Sequence, residues 1–248
     1  MNMSNNAGQK RKAFTLSFDD GVLQDKKLIK ILDKYNAKCT FNINYGRLGL
    51  ISKTTNIDLP VVDYSVVKKD ELKQVYKNHE VGGHGLNHPH LIDLSLDEIK
   101  YEINEDKKCL EELIGNKINI FAYPYGEYNE EIINVLKDAG YIGARTVNST
   151  YSFDVPKDFL ELNPTCHYND PRLIDLAKEF VEKDNNEYSL FYVWGHSYEL
   201  DQYNNYEVIE NLLSFLSKYK DDIWFATNSE IIDEISKKQN PNNQCNSI

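Results

Sequence analysis

The chain has 248 residues, with 28 Lys and Arg against 39 Asp and Glu, a formal net charge of −11. That balance, without a long basic block, argues against a nucleic-acid or anionic-membrane partner. No apolar run approaches the ~18 residues of a membrane span, and no secretory apolar core follows the polar, basic residues 1–12, so the chain as it stands reads as cytoplasmic.

In chain order, residues 1–12 read as a disordered tail, and Ala13 to Phe18 as a short buried strand that ends in Asp19-Asp20-Gly21. Leu23, Leu28, Ile31 and Leu32 recur at helical spacing, and Cys39 to Asn44 alternates around β-formers as a second strand. Tyr45 to Val62 has no period and reads as an excursion between core elements. A short helix over Asp70 to Tyr76 leads to a strand at His79 to His84. Ser95 and Glu98 form a capping box for a long helix closed by Gly115. Strands follow at Ile118 to Tyr125 and Tyr141 to Val147, separated by a helix that Asn129 caps. After an irregular region through Tyr168, Pro171 opens a helix, Ser189 to Trp194 is a strand, and Ile223 to Thr227 is another between two helices. Residues 237–248 read as a second disordered tail. Cys39, Cys109, Cys166 and Cys245 lie far apart without a Cys-x-x-Cys pair, so they read as reduced structural thiols.

Six or seven strands alternating with helices, with no break in composition, indicate one α/β domain on a parallel sheet, barrel or doubly wound. Active sites of such folds lie at the carboxyl ends of the strands. Asp19, Asp20, His84, Tyr125, Arg145 and His196 all fall there. Two adjacent carboxylates repel unless a metal, a proton or a cationic partner takes up their charge. His84 and His88 are four apart, a spacing that turns both imidazoles the same way in a helical turn or tight loop. With a carboxylate they make three protein ligands and leave a fourth position open, as a hydrolytic zinc site needs.

Four motifs stand in one order: Ser17-Phe18-Asp19-Asp20-Gly21, His84-x-x-x-His88-Pro89, Tyr123-Pro124-Tyr125-Gly126 and Gly195-His196. In these, and over about Ala13 to Ile235, the chain resembles the polysaccharide deacetylases, the NodB-homology group that forms carbohydrate esterase family 4. The resemblance implies a single-domain distorted (β/α)7-type barrel over residues 13–236 and a divalent metal, usually zinc. It also implies hydrolysis of an N-acetyl or O-acetyl group on a carbohydrate or amino-sugar derivative. Residue by residue, it makes Asp20, His84 and His88 metal ligands, Asp19 the general base and His196 the general acid. The backbone N–H of Tyr125 would face the oxyanion.

The chain departs from the family pattern where it matters for the base. The third motif usually begins with an arginine that pairs with the base, and here that position is Tyr123. Arg145, at the end of the next strand, is the expected substitute, because an arginine in a buried strand needs a carboxylate partner. Gly85 stands where a loop-bracing Ser or Thr is usual, and Trp194 where an aliphatic residue lines the acetyl pocket. The acid that orients the catalytic histidine has no plain counterpart; Asp154 is a weak candidate, and His167 could face the site. Tyr123, Tyr125 and Trp194 are the expected substrate contacts, since sugar faces stack on aromatic rings. Two other readings stand beside deacetylation: a same-fold hydrolase of a non-carbohydrate amide or C–N bond, with or without metal, and a non-catalytic carbohydrate-binding protein.

Overall fold

Lys12 to Asp19 (β1) is buried at every position, as a strand covered on both faces must be. It pairs in parallel with β2 (Thr40–Ile43) on one side and β7 (Ser189–His196) on the other, and its first residues also pair with β8 (Ile223–Phe225). Beyond β2 come β3 (Glu80–Gly83), β4 (Ile120–Ala122) and β5 (Gly143–Arg145); beyond β7 comes β6 (Cys166–His167). The computed structural model describes residues 10–56, 58–184 and 186–239. Within them the sheet has eight strands, one or two more than the expected six or seven.

The extra strand, β6, lies in the region read as irregular, and it shows how the sheet curls. Leu162 N–H donates to Ala144 O and Thr146 N–H to Leu162 O, extending the edge at β5. Three residues on, Thr165 N–H donates to Tyr192 O on β7. The segment from Leu162 to His167 thus spans the gap between the two sheet edges and closes a distorted barrel. Two-residue pairing carries too little periodicity to be seen in the sequence.

Helices α1 (Asp25–Lys34), α2 (Lys69–Val75), α3 (Leu96–Ile114), α4 (Glu130–Asp138), α5 (Leu173–Glu182), α6 (Ser197–Gln202), α7 (Tyr206–Leu216) and α8 (Asn228–Gln239) connect the strands. The α3 cap is the expected one: Glu98 accepts from Ser95 N–H at 2.9 Å, and Gly115 ends the helix in the left-handed region. Asn129 likewise accepts from Ile132 N–H at the start of α4. Phe14, Phe153, Phe180 and Phe191 interlock behind β1 and β7 with ring centroids 5.3–5.7 Å apart. Each buried ring stabilises the fold by about 1.5–3 kcal/mol. The expected tails move at their inner ends, because β1 opens at Lys12 and α8 runs to Gln239; the remainder of both lies outside the described residues. None of the described helices is long and apolar enough to cross a membrane.

The excursion after β2 returns to the barrel. Lys53 and Asp63 pair as an antiparallel bridge, and so do Val22 and Val66, which places Tyr64 over the carboxyl end of β1.

Candidate active site

β1 ends by leaving extended geometry. Asp20 and Gly21 both have positive φ, +77° and +63°, and this turns the adjacent carboxylates apart. Such a backbone at a non-glycine residue is a local strain held by its surroundings. Both acids are buried, each with one oxygen 3.9 Å from His84 Nε2, and their remaining contacts differ.

Asp19 faces the barrel lumen. The Arg145 guanidinium donates to its Oδ2, and Asn42 Nδ2 donates to its Oδ1 at 2.8 Å. Asn42 can lie there because the neighbouring strand has glycine at position 82, where a Cβ would strike the amide oxygen of Asn42. Burial pushes the Asp19 carboxyl up, but Arg145 first, then His84, His196 and the Asn42 hydrogen bond, hold it down at about 2. The sequence pointed to Arg145 as the partner of Asp19, and the structure brings the two together. Arg145 also lies 4.5 Å over the ring of Trp194.

Asp20 faces the two histidines. Its Oδ2 accepts from Tyr64 OH at 2.7 Å, whereas its buried Oδ1 has no hydrogen-bond partner. That oxygen lies 3.9 Å from His84 Nε2 and 3.7 Å from His88 Nε2. His84 Nδ1 sits 2.7 Å from Ala122 O. A carbonyl only accepts, so the ring hydrogen is on Nδ1 and the bare Nε2 lies towards the two carboxylates. Burial lowers the pKa of His84 against the pull of Asp19 and Asp20, and burial with the neighbouring His84 takes His88 down to about 3. Both imidazoles are therefore in the neutral, ligating form at neutral pH. An orphaned carboxylate oxygen and two bare nitrogens, all within 4.8 Å of one another, fit a divalent cation.

The loop that carries both histidines is held largely by buried acids of α3. Gly85 and His88 have φ of +74° and +60°. Asp106 on α3 accepts from the N–H groups of His84 and Tyr45, at 3.0 and 2.8 Å. Glu102, one turn earlier, accepts from Asn87 N–H at 2.8 Å, and Asn44 Nδ2 donates to Gly85 O at 2.7 Å. These contacts replace the brace that a Ser or Thr at position 85 would give.

His196, at the end of β7, lies 4.0 Å from Asp19 Oδ2 through Nε2. Its Nδ1 faces Glu199 Oε1 at 3.5 Å, and Glu199 also holds His167 Nε2 at 3.1 Å. Burial pulls the His196 pKa down, but Glu199 first, then Asp20 and Asp19, carry it up to about 9 through their negative charge. Glu199 is thus the acid that the sequence left without a counterpart. Asp154 is exposed and bonds Ser152 instead. Gly195 is required beside the histidine, since a Cβ there would strike the Tyr168 ring.

Among the expected aromatic contacts, Trp194 lines the cavity half-buried. Tyr125 is 52% exposed and stacks on His90 with centroids 3.8 Å apart, which places His90 at the rim, where it also pairs with Glu127. Tyr123 also borders the cavity, but it is only 1% exposed and donates its hydroxyl to Leu160 O at 2.8 Å. The sequence reading missed Asn42, Arg47, Tyr64, Asp106 and Glu199. Glu199 stands three residues after His196, a capping-box spacing that could have marked it. Glu102 and Asp106 break the apolar stripe of α3, a second signal. Arg47 comes from the aperiodic excursion and Tyr64 from just beyond it, and neither carries a local mark.

Asp19, Asp20, His84, His88, Trp194 and His196 wall one cavity of about 670 Å³ with Arg47, Tyr64 and Tyr125. Comparison with known proteins agrees with the motifs. The family model described as polysaccharide deacetylase matches residues 6–144. The chain is 28% identical over 177 residues to the chitooligosaccharide deacetylase of Azorhizobium caulinodans, covering 70% of each protein. Among solved structures, the Streptococcus pyogenes deacetylase PplD, determined with acetate, is 25% identical with a TM-score of 0.54, covering 64% of this chain and 66% of that one. A family 4 acetyl xylan esterase from Clostridium thermocellum, determined with a cobalt ion, shares the fold at 16% identity and a TM-score of 0.59, covering 90% and 91%. Motifs, barrel and family match coincide, and the chain belongs to the polysaccharide deacetylase family.

Proposed function

We propose that the protein is a metal-dependent hydrolase that removes N-acetyl groups from a carbohydrate or amino-sugar derivative, with zinc as the metal. The observation that carries this reading is the division of labour between two adjacent acids. Asp19 is paired with Arg145, and Asp20 presents an unpartnered oxygen to His84 and His88. Relatives named as deacetylases, one of them acting on chitooligosaccharides, support the same class of substrate.

Asp20, His84 and His88 would hold the cation, which when bound supplies Lewis acidity to the scissile carbonyl and acidifies a water. Asp19, ionised and fixed by Arg145 and Asn42, accepts the proton of the attacking water. Arg145 keeps that carboxylate charged inside the barrel, where burial alone would neutralise it. His196, protonated through its pairing with Glu199, donates to the leaving amine nitrogen as the C–N bond breaks. Base and acid are held in opposite protonation states at neutral pH, the condition for both to act in one turnover. The Tyr125 N–H is assigned to the developing oxyanion by resemblance to the family, and Trp194 and Tyr125 offer ring faces to the sugar.

Acetate release from N-acetylglucosamine oligomers, measured for the native chain and for Asp19→Asn and His196→Ala, tests the reading. Each variant is expected to fold and to lose ~10²-fold or more in rate. Undiminished turnover in either removes that residue from the mechanism, and no acetate from the native chain refutes the activity.

A further inference from the structure

Arg47 stands in the single 3₁₀ turn after β2 and forms part of the cavity wall, its side chain 19% exposed. The guanidinium lies 5.3 Å from the ring centre of Tyr64, which packs in turn on Tyr198 at 4.9 Å. Its ion-pair contact among the described residues is Asp20 Oδ1 at 3.8 Å, beyond hydrogen-bond reach. The other charged groups around the cavity are matched. Asp19 has Arg145, and Glu199 has His196 and His167.

Asp20 Oδ1 is also the oxygen that faces both histidines. A cation held by Asp20, His84 and His88 would take up that negative charge and leave Arg47 without it. The guanidinium is then partly desolvated, with no counter-charge of its own, in a wall that opens on the substrate. A cation so placed is costly until an anion meets it. The planar fork of arginine suits a carboxylate, which it holds with two parallel hydrogen bonds. The chain as a whole, at −11, repels anions, so attraction at this point is local rather than a property of the general field.

We propose that Arg47 receives a carboxylate carried by the substrate, and that the enzyme prefers an acetamido sugar with an acid on the ring carbon next to the acetamido carbon. The inference rests on the deacetylase reading above. The position of the acid follows from that of Arg47. A group this close to the oxygen facing His84 and His88 meets a substituent beside the scissile amide, and not one across the ring.

The test uses the zinc-loaded full chain with two matched substrates: N-acetylglucosamine oligomers, and an oligosaccharide whose reacting residue is N-acetylmuramic acid, which carries a lactyl ether at that carbon. The acid-bearing substrate is expected to have the higher kcat/KM by about tenfold or more, as one charge-assisted contact provides. Arg47→Gln is expected to abolish the preference, mainly through KM, and Arg47→Lys to keep part of it. Calorimetric titration with the amine products, muramic acid against glucosamine, gives a readout apart from turnover. Muramic acid should bind more tightly to the native chain and equally weakly to Arg47→Gln. Equal turnover of both substrates by the native chain, or a preference that survives in Arg47→Gln, overturns the proposal and leaves the deacetylase reading standing. If neither substrate releases acetate, the deacetylase reading fails and the titration decides Arg47 alone: selective binding lost in Arg47→Gln supports it, and no selectivity refutes it.

Discussion

The Arg145 guanidinium, at the end of β5, donates to Asp19 Oδ2, at the end of β1, although three strands separate the two in the sheet. The contact therefore crosses the lumen of the curled barrel. It ties an edge strand to the central one and settles the charge of the proposed base. Removing one member leaves a buried charge without a partner, and Arg145→Met is expected to cost about 3–5 kcal/mol. Denaturant unfolding checks this, with the double variant Arg145→Met/Asp19→Asn as control. The double variant should be more stable than Arg145→Met alone. Equal stability of the two would show that the pair is not coupled.

His196, the proposed general acid, is held up at about 9 chiefly by Glu199, and it must carry its proton to act. Activity is therefore expected to fall as pH rises through about 9, while Asp19, held at about 2, stays ionised down to strongly acidic pH. The same pairing contributes stability below the ordinary histidine value of 6.5, and that stability is lost as pH rises through about 9. In Glu199→Gln the alkaline limb should move to lower pH, and the stability of the variant should depend less on pH across that window. Rate–pH profiles of the two proteins measure the shift; an unmoved limb would remove Glu199 from the account.

Asp106 holds a proposed metal ligand through its backbone, since its carboxylate accepts from His84 N–H and Tyr45 N–H. Asp106→Ala leaves both donors buried and unsatisfied, at about 1–3 kcal/mol for each. Zinc affinity is expected to fall about 10–100-fold, as when an outer partner of a ligand is lost. Competition with a chromophoric chelator reads the affinity, and thermal unfolding the stability.

Asp25, buried at the start of α1, accepts from Ser197 Oγ at 2.6 Å and Tyr76 OH at 2.7 Å, and burial still pushes its pKa up to about 7. The folded state thus holds a proton that the unfolded chain releases above 3.8. Asp25 therefore makes stability decline as pH rises from the ordinary value towards about 7. Asp25→Asn should flatten that part of the stability–pH curve, read as midpoints of chemical unfolding. A curve of undiminished slope would assign the decline to other groups.

The strands that carry the site were legible because each ends in a chemically marked residue. β1 runs as an apolar stretch into Asp19-Asp20, and β7 runs into Gly195-His196. Arg145 could be expected at Asp19 because Tyr123 cannot supply the missing charge. What could not be read depends on contacts between segments distant in sequence. β6 is two residues long and made by pairing with β7; Tyr64 reaches Asp20 from 44 residues away, and Asp106 reaches the His84 loop from the buried face of α3, 22 residues on. Periodicity reports which face of an element is buried, and it is silent on what that face meets.

The central claim is that Asp19 and Asp20, adjacent in sequence, do different work: one takes the proton and the other holds the metal. Zinc content and acetate release, measured side by side for Asp19→Asn and Asp20→Asn, test it directly. Asp19→Asn is expected to retain zinc at the native stoichiometry and to release almost no acetate, whereas Asp20→Asn should lose zinc and activity together. Full turnover by Asp19→Asn, or native zinc content in Asp20→Asn, would contradict the division of roles.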